Sequence, residues 1–361
     1  LLTNFNKVML KILLKKIKYF ILFVSVFLLF NSCENRNDSP NIFLITLDGV
    51  RWQEVFYGVD SVLVNNPKLT SEKPYLIDRF DANNTEKKRK KLMPFFWNEI
   101  FKNGKLYGDL KQNSYFSITN NRNFSYPGYN EILTGYADSL IDSNSKIYNK
   151  NITVLEKLNN SESYKNRVAA FCSWDVFPYI INDKRSGIPV NAGYMPSNSI
   201  NQSEIEKFIN SNQKKAPVIW ESVRLDVFTH NLALEYIKKQ KPKALYIAYG
   251  ETDDFAHMGD YDQYIKSLHN NDKMISELWS FIQSDPFYKD NTYLVITTDH
   301  GRGIKEKWSG HGDSKSTWAA ILGPNLGEKG IIKNSQNFTN QIAPTIEKIT
   351  GISSNNNSIK L

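Results

Sequence analysis

Cysteine is almost missing: the 361 residues contain two, Cys33 and Cys172. Two thiols build no disulfide framework and no cysteine-based zinc site, so any metal must be held by Asp, His and hydroxyl groups. No apolar run reaches the ~20 residues that a bilayer-spanning helix needs. No internal repeat and no Gly/Ser-rich linker interrupts residues 41–361, which argues for a single domain there, with a loop-rich stretch from Asp175 to Val223. Acid is absent from the start of the chain. Residues 1–32 carry five Lys and no Asp or Glu, and setting them aside reduces the net charge from +8 to +3. So small an excess argues against a nucleic-acid partner, and the basic run Lys87–Lys91 reads as a solvated helix face.

Lys11, Lys15, Lys16 and Lys18 precede an apolar run, Tyr19–Phe30, which ends in Asn31-Ser32-Cys33. A basic segment, a short apolar core and a small residue before Cys read as a secretory leader, with Met9 as the expected initiator. The ending resembles a bacterial lipobox. It implies removal of residues 1–32, a lipid on Cys33, a polar tether over 33–40, and export across the inner membrane to a lipid-anchored place in the cell envelope.

From Asn41 onward apolar strands alternate with helical patterns, which predicts an α/β fold around a mainly parallel sheet. Strands are expected at Asn41–Leu47, Leu106–Leu110, Arg167–Ser173, Ala244–Tyr249, Thr292–Thr298 and Trp318–Leu322. Helices are expected at Leu92–Lys102, Pro127–Thr134, Ile152–Leu158, Ile205–Asn210, Asp226–Lys239, Tyr261–Ser284 and Gln341–Thr350. Cys172 falls within a strand and reads as a buried core residue.

Three of these strands end in acid. NIFLITL stops at Asp48-Gly49, ALYIAYG leads into Glu251-Thr252-Asp253-Asp254-Phe255-Ala256-His257, and TYLVITT stops at Asp299-His300-Gly301, with His311 eleven residues after His300. Ligands in open α/β sheets bind beyond the carboxyl ends of the strands. A helical turn after Ala244–Tyr249 would put Asp253 and His257 on one face. One Asp-His-Gly alone is as readily a capped turn. Three acid-tipped strands, two with a His, point to a metal site of carboxylate and imidazole, a donor set that suits zinc or manganese.

Ser125 lies in Asn123-Phe-Ser-Tyr-Pro-Gly128, just before a helix with Pro127 near its first turn. Such a serine is either an N-cap or a nucleophile stabilised by the helix dipole and a metal, and composition does not choose between them.

Asp48, the segment SYPGYNEILTG at Ser125–Gly135, Asp253-x-x-x-His257, Asp299-His300, His311 and the late Ile342-Ala-Pro-Thr-Ile346 occur in an order that resembles the alkaline phosphatase superfamily, above all its nucleotide pyrophosphatase/phosphodiesterase and related bacterial phosphatase branches. The resemblance implies a three-layer fold with helices on both faces of the sheet. It also implies two divalent cations, zinc or manganese, one held by Asp48, Asp299, His300 and the Ser125 oxygen, the other by Asp253, His257 and His311. Ser125 would attack phosphorus, and the phosphoseryl enzyme would then be hydrolysed. The loop Asn182–Gly193 resembles the Lys/Arg-bearing loop of secreted phosphate-monoester hydrolases, which offers Lys184 and Arg185 as phosphate ligands and favours a dianionic monoester. The alternative for this pair is an exposed basic turn. Asn149 matches a phosphate-oxygen-binding Asn, or is an ordinary loop residue.

Sulfatases share the fold but place Arg four residues after the nucleophile, where this chain has Tyr129. Phosphodiester or pyrophosphate cleavage is the nearest enzymatic alternative, and a ligand-binding surface lipoprotein without turnover is the non-enzymatic one. Metal content separates the last from an enzyme.

Overall fold

The computed structural model describes residues 39–312 and 315–352, together with Lys18. The proposed leader, Cys33 and the tether up to residue 38 lie outside the described residues. Among those described, no helix is long and apolar enough to cross a membrane. The described residues from Pro40 onward form one compact unit.

Among the described residues, ten strands run in chain order as β1 (Asn41–Leu47), β2 (Lys105–Tyr107), β3 (Ser114–Ser117), β4 (Val168–Cys172), β5 (Val190–Ala192), β6 (Ala244–Tyr249), β7 (Thr292–Thr297), β8 (Ala319–Leu322), β9 (Gly330–Ile331) and β10 (Ser335–Phe338). Eight form one sheet in the order β5-β4-β6-β1-β7-β8-β2-β9, and β10 pairs with β3 in a small second sheet. All pairs in the large sheet are parallel except those of β8 with β7 and with β2. The mainly parallel α/β expectation holds. All six expected strands are present, and what the pattern missed is β3, β5, β9 and β10, segments of two to four residues too short to show a period.

β1 is buried along its whole length because both faces are covered. Phe43, Ile45 and Leu47 join one apolar cluster, with side chains from Asp226–Gln240 and Tyr261–Ser284. Ile42 and Leu44 join the other, with Tyr129, Ile132 and Leu133 of Ser125–Thr134 and with Ile342 and Ile346 of the last helix. That is the period-2 alternation of a strand sandwiched between helix layers. Each large apolar side chain so buried contributes ~1.5–3 kcal/mol before entropy is counted. Cys172 is buried at the end of β4 with a free thiol.

One helix differs from expectation. Over Leu92–Lys102 the chain instead ends a helix at Leu92, passes Met93 in a non-helical conformation (φ −128°, ψ 71°), and winds again as a wide turn at Phe96–Ile100. Pro94 is the cause, because a residue before proline is pushed out of the α region. The basic run lies on the helix Thr85–Leu92, with Arg89 stacked 3.6 Å from the Trp97 ring centroid. The stretch Asp175–Val223 holds β5 and three short helices, Phe177–Ile181, Asp183–Ser186 and Glu204–Asn212, among its loops.

Candidate metal centre

The strand register sets the height of the acids. Thr46 of β1 lies beside Thr297 of β7, so Asp48 and Asp299, each two residues further on, leave the sheet side by side. β6 flanks β1 on its other edge, with Ala248 beside Thr46. It leads through Gly250 into a helix we label α1 (Glu251–His257), whose i,i+4 spacing turns Asp253 and His257 to one face. Thr252 ties this helix to β1 by donating from Oγ1 to the Asp48 carbonyl (2.6 Å).

The nucleophile candidate arrives on α2 (Ser125–Thr134). Phe124, extended at φ −144°, occupies the cap position and makes no side-chain cap bond, so Ser125 is the first helical residue and not an N-cap. Its Oγ lies 3.4 Å from His300 Nε2. The helix can come this close to β7 because position 128 is glycine: a Cβ there would stand 2.3 Å from the Asp299 carbonyl oxygen.

His300 sits at the middle of the cluster. Its Nε2 lies 3.4 Å from Asp48 Oδ1, 3.4 Å from Asp299 Oδ2 and 3.7 Å from Asp253 Oδ1. Its Nδ1 is 3.0 Å from the Gly301 carbonyl, an acceptor, so Nδ1 is the donor there and Nε2 faces the acids. The second group stands beside it, with His257 Nε2 3.1 Å from Asp253 Oδ2 and 3.0 Å from His311 Nε2. Donor atoms of Asp48, Asp299 and His300, and of Asp253, His300 and His311, are each close enough together to hold one ion. All seven side chains named for metal and nucleophile therefore meet in one cluster at the carboxyl end of β6, β1 and β7.

The polar accounting shows what the cluster suits. Asp48 Oδ1 and Asp299 Oδ2 are buried oxygens with no hydrogen-bond partner. Buried carboxylate oxygens left unpaired are costly, and a cation is the partner that removes the cost. Electrostatics agree. Burial, then the neighbouring Asp299 and Asp253, push Asp48 well above the usual carboxylate range. Burial and Asp253 raise Asp299 to about 7. At Asp253 burial pushes the same way but is overcome by the Arg302 guanidinium, with His257 and His300 helping, so this carboxyl is held low. Burial, then His300, lower His311 to about 3. Neutral imidazole and crowded carboxylate are the states that bind a divalent ion. The residues present fit such a group.

Further partners hold the ligands in place. Tyr129, fully buried one turn after Ser125, donates to Asp48 Oδ2 (2.8 Å). The Gly49 amide donates to Asp299 Oδ1 (3.1 Å). Arg302 bonds Asp253. None of these was singled out from sequence. The available signals were an i+4 position on the nucleophile's own helix for Tyr129, and a lone cation beside an apolar strand end for Arg302.

Asn149, Lys184 and Arg185 are engaged with partners other than the metal-cluster side chains. Arg185 gives Nε and Nη2 to Glu156 (2.9 and 2.7 Å), and its remaining donors go to the carbonyls of Asn149, Lys150 and Asn151. Lys184 stacks its Nζ 4.7 Å from the Tyr148 ring centroid. The buried Asn149 amide donates to Asn130 Oδ1 and to the Ile180 carbonyl, at 3.1 and 3.2 Å. Every donor of the Arg185 guanidinium is spent on its own framework in this arrangement, which gives it a structural role and leaves none free for a phosphate. Asn149 is engaged in the same way.

Residues 225–352 match the family model of the Metalloenzyme superfamily. No curated protein matches. Among solved structures the chain resembles the lipoteichoic acid synthase LtaP from Listeria monocytogenes, with TM-score 0.56 and 14% identity over 89% of this chain and 74% of that one. It also resembles a candidate sulfatase from Bacteroides thetaiotaomicron, with TM-score 0.53 and 13% identity over 90% and 73%, and the protein Ps i-CgsB, with TM-score 0.54 and 14% identity over 89% and 74%. At such identities the likeness is one of fold.

Proposed function

We propose that this chain, an α/β metalloenzyme with the fold of the alkaline phosphatase superfamily, hydrolyses phosphate esters with Ser125 as nucleophile. One observation carries the reading. A hydroxyl at the start of a helix, not spent on capping, points at a buried histidine ringed by three aspartates, two of them with unpaired oxygens.

Asp48, Asp299, His300 and Ser125 would hold one cation, and Asp253, His257 and His311 the other; zinc suits this donor set and manganese is the alternative. Bound there, the pair would supply positive charge to the attacking and leaving oxygens of an in-line displacement. The protein's own part is positioning. Ser125 Oγ forms the bond to phosphorus as the ester oxygen departs, and water later breaks that seryl bond to release phosphate. The start of α2 places its partial positive charge beside the reacting oxygen. Tyr129, the Gly49 amide and the Gly301 carbonyl keep Asp48, Asp299 and His300 in one orientation.

Two features bear on the substrate. Tyr129 stands where a sulfatase would carry Arg, and its hydroxyl is already engaged by Asp48, which favours phosphate over sulfate. Phosphomonoester hydrolysis is the primary reading and phosphodiester cleavage the second. With the Arg185 donors engaged by Glu156 and neighbouring carbonyls, rates on nitrophenyl phosphate and on bis(nitrophenyl) phosphate decide between them. Metal analysis should find about two divalent ions per chain, and chelation should abolish turnover on both substrates. A metal-free protein inert on both would leave the ligand-binding alternative. We also propose that Cys33 carries a lipid that holds the enzyme in the cell envelope. Labelling of expressing cells with a fatty acid should mark the protein, and Cys33→Ser should abolish the mark.

A further inference from the structure

Arg302 follows Asp299-His300-Gly301 and is completely buried. Its guanidinium is held on three sides. Nη1 bonds Asp253 Oδ1, Nε donates to the Trp308 carbonyl (3.1 Å), and Nη2 donates to the Ser309 carbonyl (2.6 Å). Trp308, itself fully buried, packs edge-on against Tyr261 and Tyr264, with ring centroids 5.2 and 5.3 Å away, so the carbonyls that grip the guanidinium belong to an anchored loop. Gly49 makes room for the pair. It adopts φ +61°, and a Cβ there would stand 2.9 Å from Arg302 Nη1 and 2.5 Å from Asp253 Oδ1. The ion pair is thus built in from β1, α1 and the loop after β7.

Asp253 is also the one carboxylate of the second cation position. His300 and His311 approach the Oδ1 that Arg302 occupies (3.7 and 3.9 Å), and His257 approaches Oδ2. The two positions therefore differ in charge. The first offers two aspartates, Asp48 and Asp299, each with an orphaned oxygen and no cationic side chain among their hydrogen-bond partners. The second offers one aspartate already neutralised by a guanidinium, and two imidazoles. A divalent ion entering there meets, on the protein side, the fixed charge of a fully buried guanidinium, which solvent screens poorly.

We propose that Arg302 makes the cation positions unequal: one ion is held tightly at Asp48–Asp299–His300, while the Asp253 side keeps a permanent protein cation and takes its own ion weakly. Arg302 is a positioning residue that acts through Asp253. This inference rests on the two-cation reading above, and metal binding, measured apart from turnover, tests it.

Apo protein titrated calorimetrically with Zn2+ should show two sites whose dissociation constants differ by about 100-fold or more, equivalent to ~2.7 kcal/mol. Arg302→Gln removes the charge and keeps polar atoms for the loop carbonyls. It should tighten the weaker site at least tenfold and leave the tighter one within about threefold. Arg302→Lys keeps the charge and should preserve the gap. Two sites of equal affinity in the wild type, or an Arg302→Gln protein with an unchanged weak site, would overturn the proposal while leaving the hydrolase reading in place. No binding at all would overturn both. Should Arg302→Gln fail to fold by circular dichroism, Arg302→Met, which keeps the buried stem, repeats the test.

Discussion

Two polar clusters in this molecule differ in how their atoms are used. Around Arg185, Glu156 and Asn149 every guanidinium donor and the Asn149 amide have internal partners. Around His300 the chain has packed three aspartates and three histidines together and left Asp48 Oδ1 and Asp299 Oδ2 without a partner. A folded chain spends its buried polar atoms where they serve only stability. Asp48 Oδ1 and Asp299 Oδ2, left unspent side by side beyond the carboxyl ends of β1 and β7, are available to a cation.

Substitutions can break or sharpen this contrast, and the largest effect belongs to the unspent side. Ser125→Ala should lower turnover of the preferred nitrophenyl ester on the order of 10³-fold with metal content unchanged. Trace loss only, with cations still bound, would end the nucleophile assignment. Next comes Asp299→Asn, which removes a direct ligand. Zinc binding by calorimetry should weaken beyond the ~10–100-fold typical for outer partners of a metal ligand, and the increase in melting temperature on adding zinc should disappear with it. Tyr129→Phe deletes only the bond to Asp48 Oδ2, so about tenfold weaker zinc binding with little change in unmetallated stability is expected.

The spent side should behave in the opposite sense. Arg185→Ala leaves the mostly buried Glu156 carboxylate without its guanidinium, so urea unfolding should show a loss of about 1–3 kcal/mol. Turnover per folded molecule should stay within about twofold of the parent. A selective rise in KM for a monoester over a diester would instead restore Arg185 as a phosphate ligand.

Much of the metal centre was legible because its signals are local and strong. An apolar β-branched run that stops at Asp is visible in one dimension, and three of them in parallel strands must end on the same side of the sheet. Ser125 was legible only as a choice between cap and nucleophile, because the same residue type serves both purposes at a helix start. Arg185 was likewise legible only as a choice, between phosphate ligand and basic turn: a basic loop advertises charge, and only the fold reveals whether a buried acid such as Glu156 has already claimed it.

Residue order by itself determined the strands β1, β6 and β7, the acids at their tips, and the donor chemistry available in a chain with so little cysteine, since periodicity and residue type are properties of short segments. Which carboxylate oxygens remain unpaired, and that Arg302 shares Asp253 with the imidazoles, were decided by tertiary structure alone. Each depends on atoms brought together from positions up to about 250 residues apart, and the preference of a polar atom for one partner over another is settled only when the chain has closed around it.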